Sequence, residues 1–150
     1  MTTQPQVREL TRPEIDAFLA ARTHGRIAYS FHDRVDIEPI HYVYEAGWLY
    51  GRTQPGLKLS VLQRNPWVAF EVDEVRGTFD WTSVVVKGTV YFVDDAATDR
   101  SEEIHQRVLE RLRTLIPEAL TPDDPVPERR VLFRLLVDDA RGRSFAPDPG

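Results

Sequence analysis

Residues 77–93 form a run without proline, and its centre, Val84-Val85-Val86, is apolar at every position. A segment that offers apolar side chains to both faces reads as a long interior strand, flanked by neighbours and covered above and below. The rest of the chain has to be built around it. Shorter runs at 26–31, 35–44, 48–53, 67–72 and 130–137 are rich in β-branched and aromatic residues and are bounded by turn formers. His32-Asp33-Arg34 and Glu45-Ala46-Gly47 read as turns joining the first three of these runs. Pro39 cannot donate a ladder hydrogen bond, so the second run belongs at a sheet edge or carries a bulge.

Three helices complete the pattern. Thr11-Arg12-Pro13-Glu14 combines a capping hydroxyl, an early proline and a glutamate three residues after the cap, followed by an apolar stripe of Ile15, Phe18 and Leu19. A second, compact helix runs from Leu57 and stops at Asn65-Pro66. Asp94-Asp95 and Thr98 lead into a third, with Ile104, Val108, Leu112, Leu115 and Ile116 on one face and Pro117 at its end. Pro122, Pro125 and Pro127 make a stiff connection to the last strand. Six mostly antiparallel strands with three flanking helices give an α+β fold with a closed or partly closed β-barrel core. Residues 11–145 are expected as one domain, with 1–10 a loose N-terminal segment and 146–150 a loose tail.

Composition removes several functions. Cysteine is absent, which excludes disulfides, thiolate nucleophiles and sulfur-ligated metals. A net charge of -5 leaves no broad electropositive face for a phosphodiester backbone, so no nucleic acid is expected as a main partner. Residues 1–10 lack an apolar signal core, and no stretch approaches the apolar length of a membrane span; we expect a cytoplasmic protein with no membrane partner. There is no Gly-x-Ser-x-Gly elbow, Walker-type phosphate loop or His-Glu-x-x-His helix. His24, His32, His41 and His105 fall at spacings that build no local metal site, and no metal is expected. No residue identifies itself as a catalytic acid or base.

One short segment carries chemistry. In Thr53-Gln54-Pro55-Gly56-Leu57-Lys58 a hydroxyl ends a strand, a glycine turns the chain, and a lysine stands in the first turn of a helix. Lys58 and Lys87 are the only lysines among the cations. A helix start carries free N–H groups and partial positive charge, so a cation there opposes the dipole unless an anion shares the site. A phosphate held by Arg52, Thr53 and Lys58 would resolve that conflict. The competing reading is an exposed lysine on a surface helix.

Gly25-Arg26-Ile27-Ala28, Pro39-Ile40-His41-Tyr42-Val43-Tyr44, Gly47-Trp48-Leu49-Tyr50, Gly56-x-Lys58-Leu59, Asn65-Pro66-x-Val68-x-Phe70-Glu71 and Trp81-Thr82-Ser83-Val84-Val85-Val86-Lys87-Gly88 follow one another in this order. This succession resembles the pyridoxamine 5'-phosphate oxidase-like, FMN-binding split-barrel family over about residues 11 to 95. It is most similar to the branch of nitroimidazole-resistance reductases. The resemblance implies a homodimer with two flavin sites at the subunit interface. Ile40, His41 and Tyr42 would run along the isoalloxazine, His41 through its backbone, while Arg52, Thr53 and Lys58 hold the phosphate. Trp81, Ser83 and Val84 would approach from the second subunit. For Tyr42, Trp81 and Val84 a place in the core or an interface stays open, and for Ser83 a bond to a strand neighbour.

The activity so implied is an FMN-dependent oxidoreductase acting on a small planar organic compound. The alternatives are a deazaflavin-dependent reductase on the same fold and a non-catalytic flavin or haem carrier or sensor. Arg141-Gly142-Arg143-Ser144-Phe145 lacks the tryptophan strand and the arginine-histidine pair of true pyridoxamine phosphate oxidases, which argues against vitamin B6 oxidation. Arg52 stands where the nitroimidazole-resistance branch has a histidine.

Overall fold

A computed structural model describes residues 6–93 and 99–146. Eight strands form one antiparallel sheet: β1 (Gln6–Glu9), β2 (His24–Phe31), β3 (Arg34–His41), β4 (Val43–Glu45), β5 (Trp48–Thr53), β6 (Trp67–Gly77), β7 (Asp80–Phe92) and β8 (Val131–Ala146). Their order is β3-β2-β6-β7-β8-β5-β4, with β1 added on β8. Helices α1 (Arg12–Ala20), α2 (Leu57–Arg64) and α3 (Asp99–Arg113) flank the sheet.

The long central run becomes β7, paired along its length with β6 on one side and β8 on the other. Val84 and Val86 are fully buried, whereas Val85 points the opposite way and is 39% exposed. One face of β7 is therefore core, and the other is not covered by the described residues. At Gly88 a β-carbon would lie 2.0 Å from the Leu136 carbonyl oxygen, where the β7 to β8 register shifts; the glycine permits that close approach.

Turn chemistry fixes the hairpins. His32 and Asp33 both adopt positive φ, 48° and 63°, as a two-residue β2–β3 connection requires. Pro39 lies opposite Arg26 on β3, which is the terminal strand of the sheet, so the edge placement holds. The Thr11 hydroxyl accepts from the Glu14 N–H at 3.3 Å, while the Glu14 carboxylate accepts from the Thr11 N–H at 3.0 Å. That capping box starts α1, which buries Ile15, Phe18 and Leu19.

The six expected strands become eight for two reasons. The Tyr42 N–H donates to the Thr23 carbonyl at 2.9 Å, which splits the expected 35–44 strand into β3 and β4. Residues 6–9, expected as part of a loose segment, pair with β8, and the Leu10 N–H donates to Gly142 O at 2.8 Å. All four β1 residues are exposed, so no apolar alternation marked them. β8 likewise runs past 137 to Ala146, because its second half is polar on the uncovered face. Residues 94–98, where Asp94-Asp95 and Thr98 were expected to lead into α3, and 147–150 of the expected tail lie outside the described residues.

Two cores result. Leu19, Ile27, Tyr42, Phe70, Val72, Val84 and Leu135 fill the barrel. α3 lays Val108, Leu109 and Leu112 over Tyr50 and Leu132 on the other side of β5 and β8. The outward face of β3, β6 and β7 keeps Val35, Ile37, Trp67, Val75 and Val85 exposed. Among the described residues no helix is long and apolar enough to cross a membrane.

Because the capping box closes α1, Thr11→Ala should lower unfolding free energy by about 1 kcal/mol, read as a lower urea midpoint with unchanged slope.

Candidate functional site

The chain leaves β5 at Thr53 and enters α2 four residues later, and this turn forms one wall of a cavity of about 230 Å³. Glu38, Pro39 and Ile40 of β3 make the facing wall, and Arg129 closes one end. Gly56, the residue preceding α2, has φ 154° and ψ -162°, a conformation open almost solely to glycine. It makes no side-chain cap, and a β-carbon there would meet nothing within 4 Å. Among the described residues no side chain caps the start of α2.

The cations in this cavity are already partly engaged. Arg52 is buried and grips Asp124 through two nitrogens, at 2.5 and 2.9 Å, with a further contact to the Arg129 carbonyl at 3.5 Å. Asp124 also accepts from the N–H groups of Leu120 and Val126, at 2.8 and 3.0 Å. Its carboxyl is held far below the usual carboxylate range, first by the guanidinium and then by these backbone donors, against the opposing effect of burial. Lys58 meets Glu38 at 2.5 Å. Arg129 has no salt-bridge partner among the described residues.

A second cavity of about 690 Å³ lies behind the first, between the β2–β3 hairpin and α2. Tyr29, Phe31, Val35 and Val61 give it an apolar lining. Among the described residues Glu38 and Lys58 alone line both spaces. The Tyr29 hydroxyl donates to Asp36 at 3.3 Å and Glu38 at 3.4 Å; desolvation, reinforced by these two carboxylates, pushes its ionisation up to about 12.

The expected residues divide between two surfaces. Ile40, Arg52, Thr53 and Lys58 meet at the smaller cavity, although Arg52 is committed to Asp124. His41 is exposed, on the opposite face of β3 from Ile40. The Tyr42 ring is in the core, edge-on to Phe70 at 5.2 Å, and its hydroxyl donates to the Leu19 carbonyl at 2.7 Å. Trp81 and Ser83 lie on the outward face of β7 beside Lys87, Arg141 and Arg143, around a separate cavity of about 480 Å³. Trp81 stacks on Phe145, and Ser83 donates to Glu71 at 3.2 Å. Burial, then the neighbouring Asp73, raises Glu71 above the ordinary carboxylate range. The Val84 side chain is a correction: with a two-residue strand period it cannot share a face with Trp81 and Ser83, and it is fully buried in the barrel.

Glu38, Asp124 and Arg129 were not anticipated. Asp124 lies 72 residues from Arg52, in a proline-rich connection whose only visible signal was stiffness. Glu38 alternates with Ile37 and Pro39, a pattern that normally puts the acid in solvent.

Fold and site together define a small split β-barrel with a polar cleft of about 230 Å³ at a helix start. The family model of pyridoxamine 5'-phosphate oxidase matches residues 11–144, and the chain belongs to that family. An uncharacterized protein of Rhizobium meliloti (strain 1021) is 31% identical over 146 residues, covering 92% of this chain and 95% of its own length. Among solved structures, a FAD-binding protein of Mesorhizobium loti superposes with a TM-score of 0.70 at 28% identity, over 95% of this chain and 99% of the other. A Bacteroides thetaiotaomicron protein assigned to 5-nitroimidazole antibiotic resistance shares the fold, with a TM-score of 0.70 at 18% identity, over 97% and 91%.

Removing one partner of a buried ion pair strands the other, so Asp124→Ala should cost about 3 to 5 kcal/mol in urea unfolding at pH 7. The wild-type pair has an acid dependence of definite sign. Asp124 stays ionised in the folded chain where an unfolded aspartate protonates, so its contribution is present above about pH 4 and fades as pH falls further. Asp124→Asn should therefore lose less stability than wild type between pH 5 and pH 3.

Proposed function

We propose that this chain binds the phosphate of a flavin at the start of α2 and acts as a flavin-dependent oxidoreductase on a small planar compound. The observation that carries this is the cleft itself: Lys58, Thr53, Arg129 and the uncapped first turn of α2 converge on one space. At about 230 Å³ it is smaller than the roughly 300–1,000 Å³ of whole-ligand pockets, which suits a phosphate and its linker rather than a three-ring system. The residues therefore fit the group. The Mesorhizobium relative binds FAD, and the family resemblance points to FMN; FMN ends in a phosphomonoester on its ribityl chain, whereas FAD carries a pyrophosphate diester there.

When bound, the flavin supplies the electron chemistry, accepting and returning hydride or single electrons. The chain's own part is binding and placement. Lys58 and Thr53 offer a charge-assisted donor pair to the phosphate, and α2 adds its backbone dipole. The buried Arg52–Asp124 pair holds the end of β5 so that Thr53 keeps its position. As the terminal strand, β3 offers unpaired backbone groups near Ile40 and His41 to a ring's polar edge, and the Ile40 side chain excludes water beside them.

Dimerisation completes this reading. Val35, Ile37, Val75 and Val85 stand exposed on the outward face, interspersed with the Arg26, Glu71 and Asp73 ion pairs, and a second copy would cover this mixed surface. A two-fold partner would bring Trp81 and Ser83 to the other subunit's ring.

Lys58→Ala should weaken FMN binding by about 1.5 to 3 kcal/mol while leaving riboflavin binding unchanged, measured by fluorescence titration. Equal losses for both ligands would place the phosphate elsewhere. Val85→Arg should convert the dimer to monomer in sedimentation, and an unchanged dimer would mean that another surface pairs. The absorption spectrum of the ligand that co-purifies separates flavin from deazaflavin.

A further inference from the structure

We infer that Glu38 is a built-in anion that closes on Lys58 and must be displaced before a phosphate can enter, so that the cleft selects dianionic phosphomonoesters. This rests on the phosphate reading of the cleft and adds to it a residue that sets what the cleft accepts.

The placement of Glu38 is unusual for its strand. Along β3 the apolar residues Val35 and Ile37 are exposed, at 76% and 58%, while Asp36 and Glu38 pair with Tyr29 and Ile27 on the side facing α2. At 35–38 the alternation is inverted relative to a half-buried strand, whose apolar side chains face the core, and at Ile40, on the same face as Glu38, it returns to the ordinary phase. An inward carboxylate needs a partner, and Glu38 has two: Lys58 at 2.5 Å and the Tyr29 hydroxyl at 3.4 Å.

The Lys58 ammonium is mostly buried, with its side chain 17% exposed, so it meets few competitors besides this carboxylate. Glu38 and Lys58 also form the partition between the phosphate-sized cleft and the larger apolar cavity. An anion entering the cleft therefore meets a lysine already neutralised by a tethered carboxylate. A carboxylate or phosphodiester brings one charge and gains nothing by the exchange. A phosphomonoester carries about -1.5 to -2 at pH 7 and three acceptor oxygens, and gains from Lys58, Thr53 and the α2 amides together. Tyr29 remains available to hold Glu38 after release.

The test is binding of inorganic phosphate, followed by 31P NMR, and of FMN, followed by fluorescence, to the wild-type chain, Glu38→Gln, Lys58→Gln and the double variant, each checked for folding by circular dichroism. Glu38→Gln should bind inorganic phosphate about tenfold tighter or more, and the gain should vanish in the Lys58→Gln background. Unchanged or weaker phosphate binding by Glu38→Gln overturns the inference, as does a gain that persists without Lys58, which would mark Glu38 as a general repulsive charge. A lysine-dependent gain in phosphate binding with no FMN binding to any variant upholds the latch and overturns the flavin reading. FMN binding to wild type with no gain in Glu38→Gln does the reverse. Should Glu38→Gln unfold, Glu38→Ala carries the same comparison.

Discussion

A guanidinium with only 4% of its side chain exposed cannot be left without an anion, and in this chain that requirement falls on Arg52 at the end of β5. Its partner, Asp124, comes from the connection between α3 and β8 and is itself held by two backbone N–H groups. The pair ties the long connection back onto the sheet beside the start of α2. Thr53 follows directly on Arg52, so the geometry of the cleft depends on this tie. The charge is spent in doing so: Arg52 lines the cleft as a neutralised pair, and Lys58 and Arg129 are left as the cations that can answer a ligand.

Two ion pairs at one site play different parts. Arg52–Asp124 is enclosed, with both carboxylate oxygens gripped by the guanidinium, and its loss would strand a buried charge. Lys58–Glu38 joins a helix start to an edge strand, with the Glu38 side chain 39% exposed. The first is suited to support and the second to exchange. On the same edge strand Val35 and Ile37 are exposed on the outward face while Ile40 is buried in the core.

Local signals made much of this legible in the sequence. The α1 capping box, the two-residue turn at His32-Asp33 and the edge position of Pro39 each act within a few residues, and each is found where the sequence put it. What was hidden depended on distant partners or on weak patterns. β1 buries none of its four residues, Val7 included, so only its pairing with β8 defines it. The Arg52–Asp124 bond spans 72 residues, and Arg52 read alone suggested a phosphate ligand. In the triple valine of β7 composition cannot set the phase, yet strand periodicity excluded Val84 from the face of Trp81 and Ser83.

The central claim is that an anion belongs at the start of α2. A crystal structure of the chain grown with FMN tests it most directly. The account predicts phosphate oxygens within hydrogen-bond reach of Lys58 Nζ, the Thr53 hydroxyl and the first-turn amides of α2, with Glu38 withdrawn from the lysine. A phosphate bound against Lys87, Arg141 and Arg143 on the outward face, with Lys58 still closed on Glu38, would contradict it.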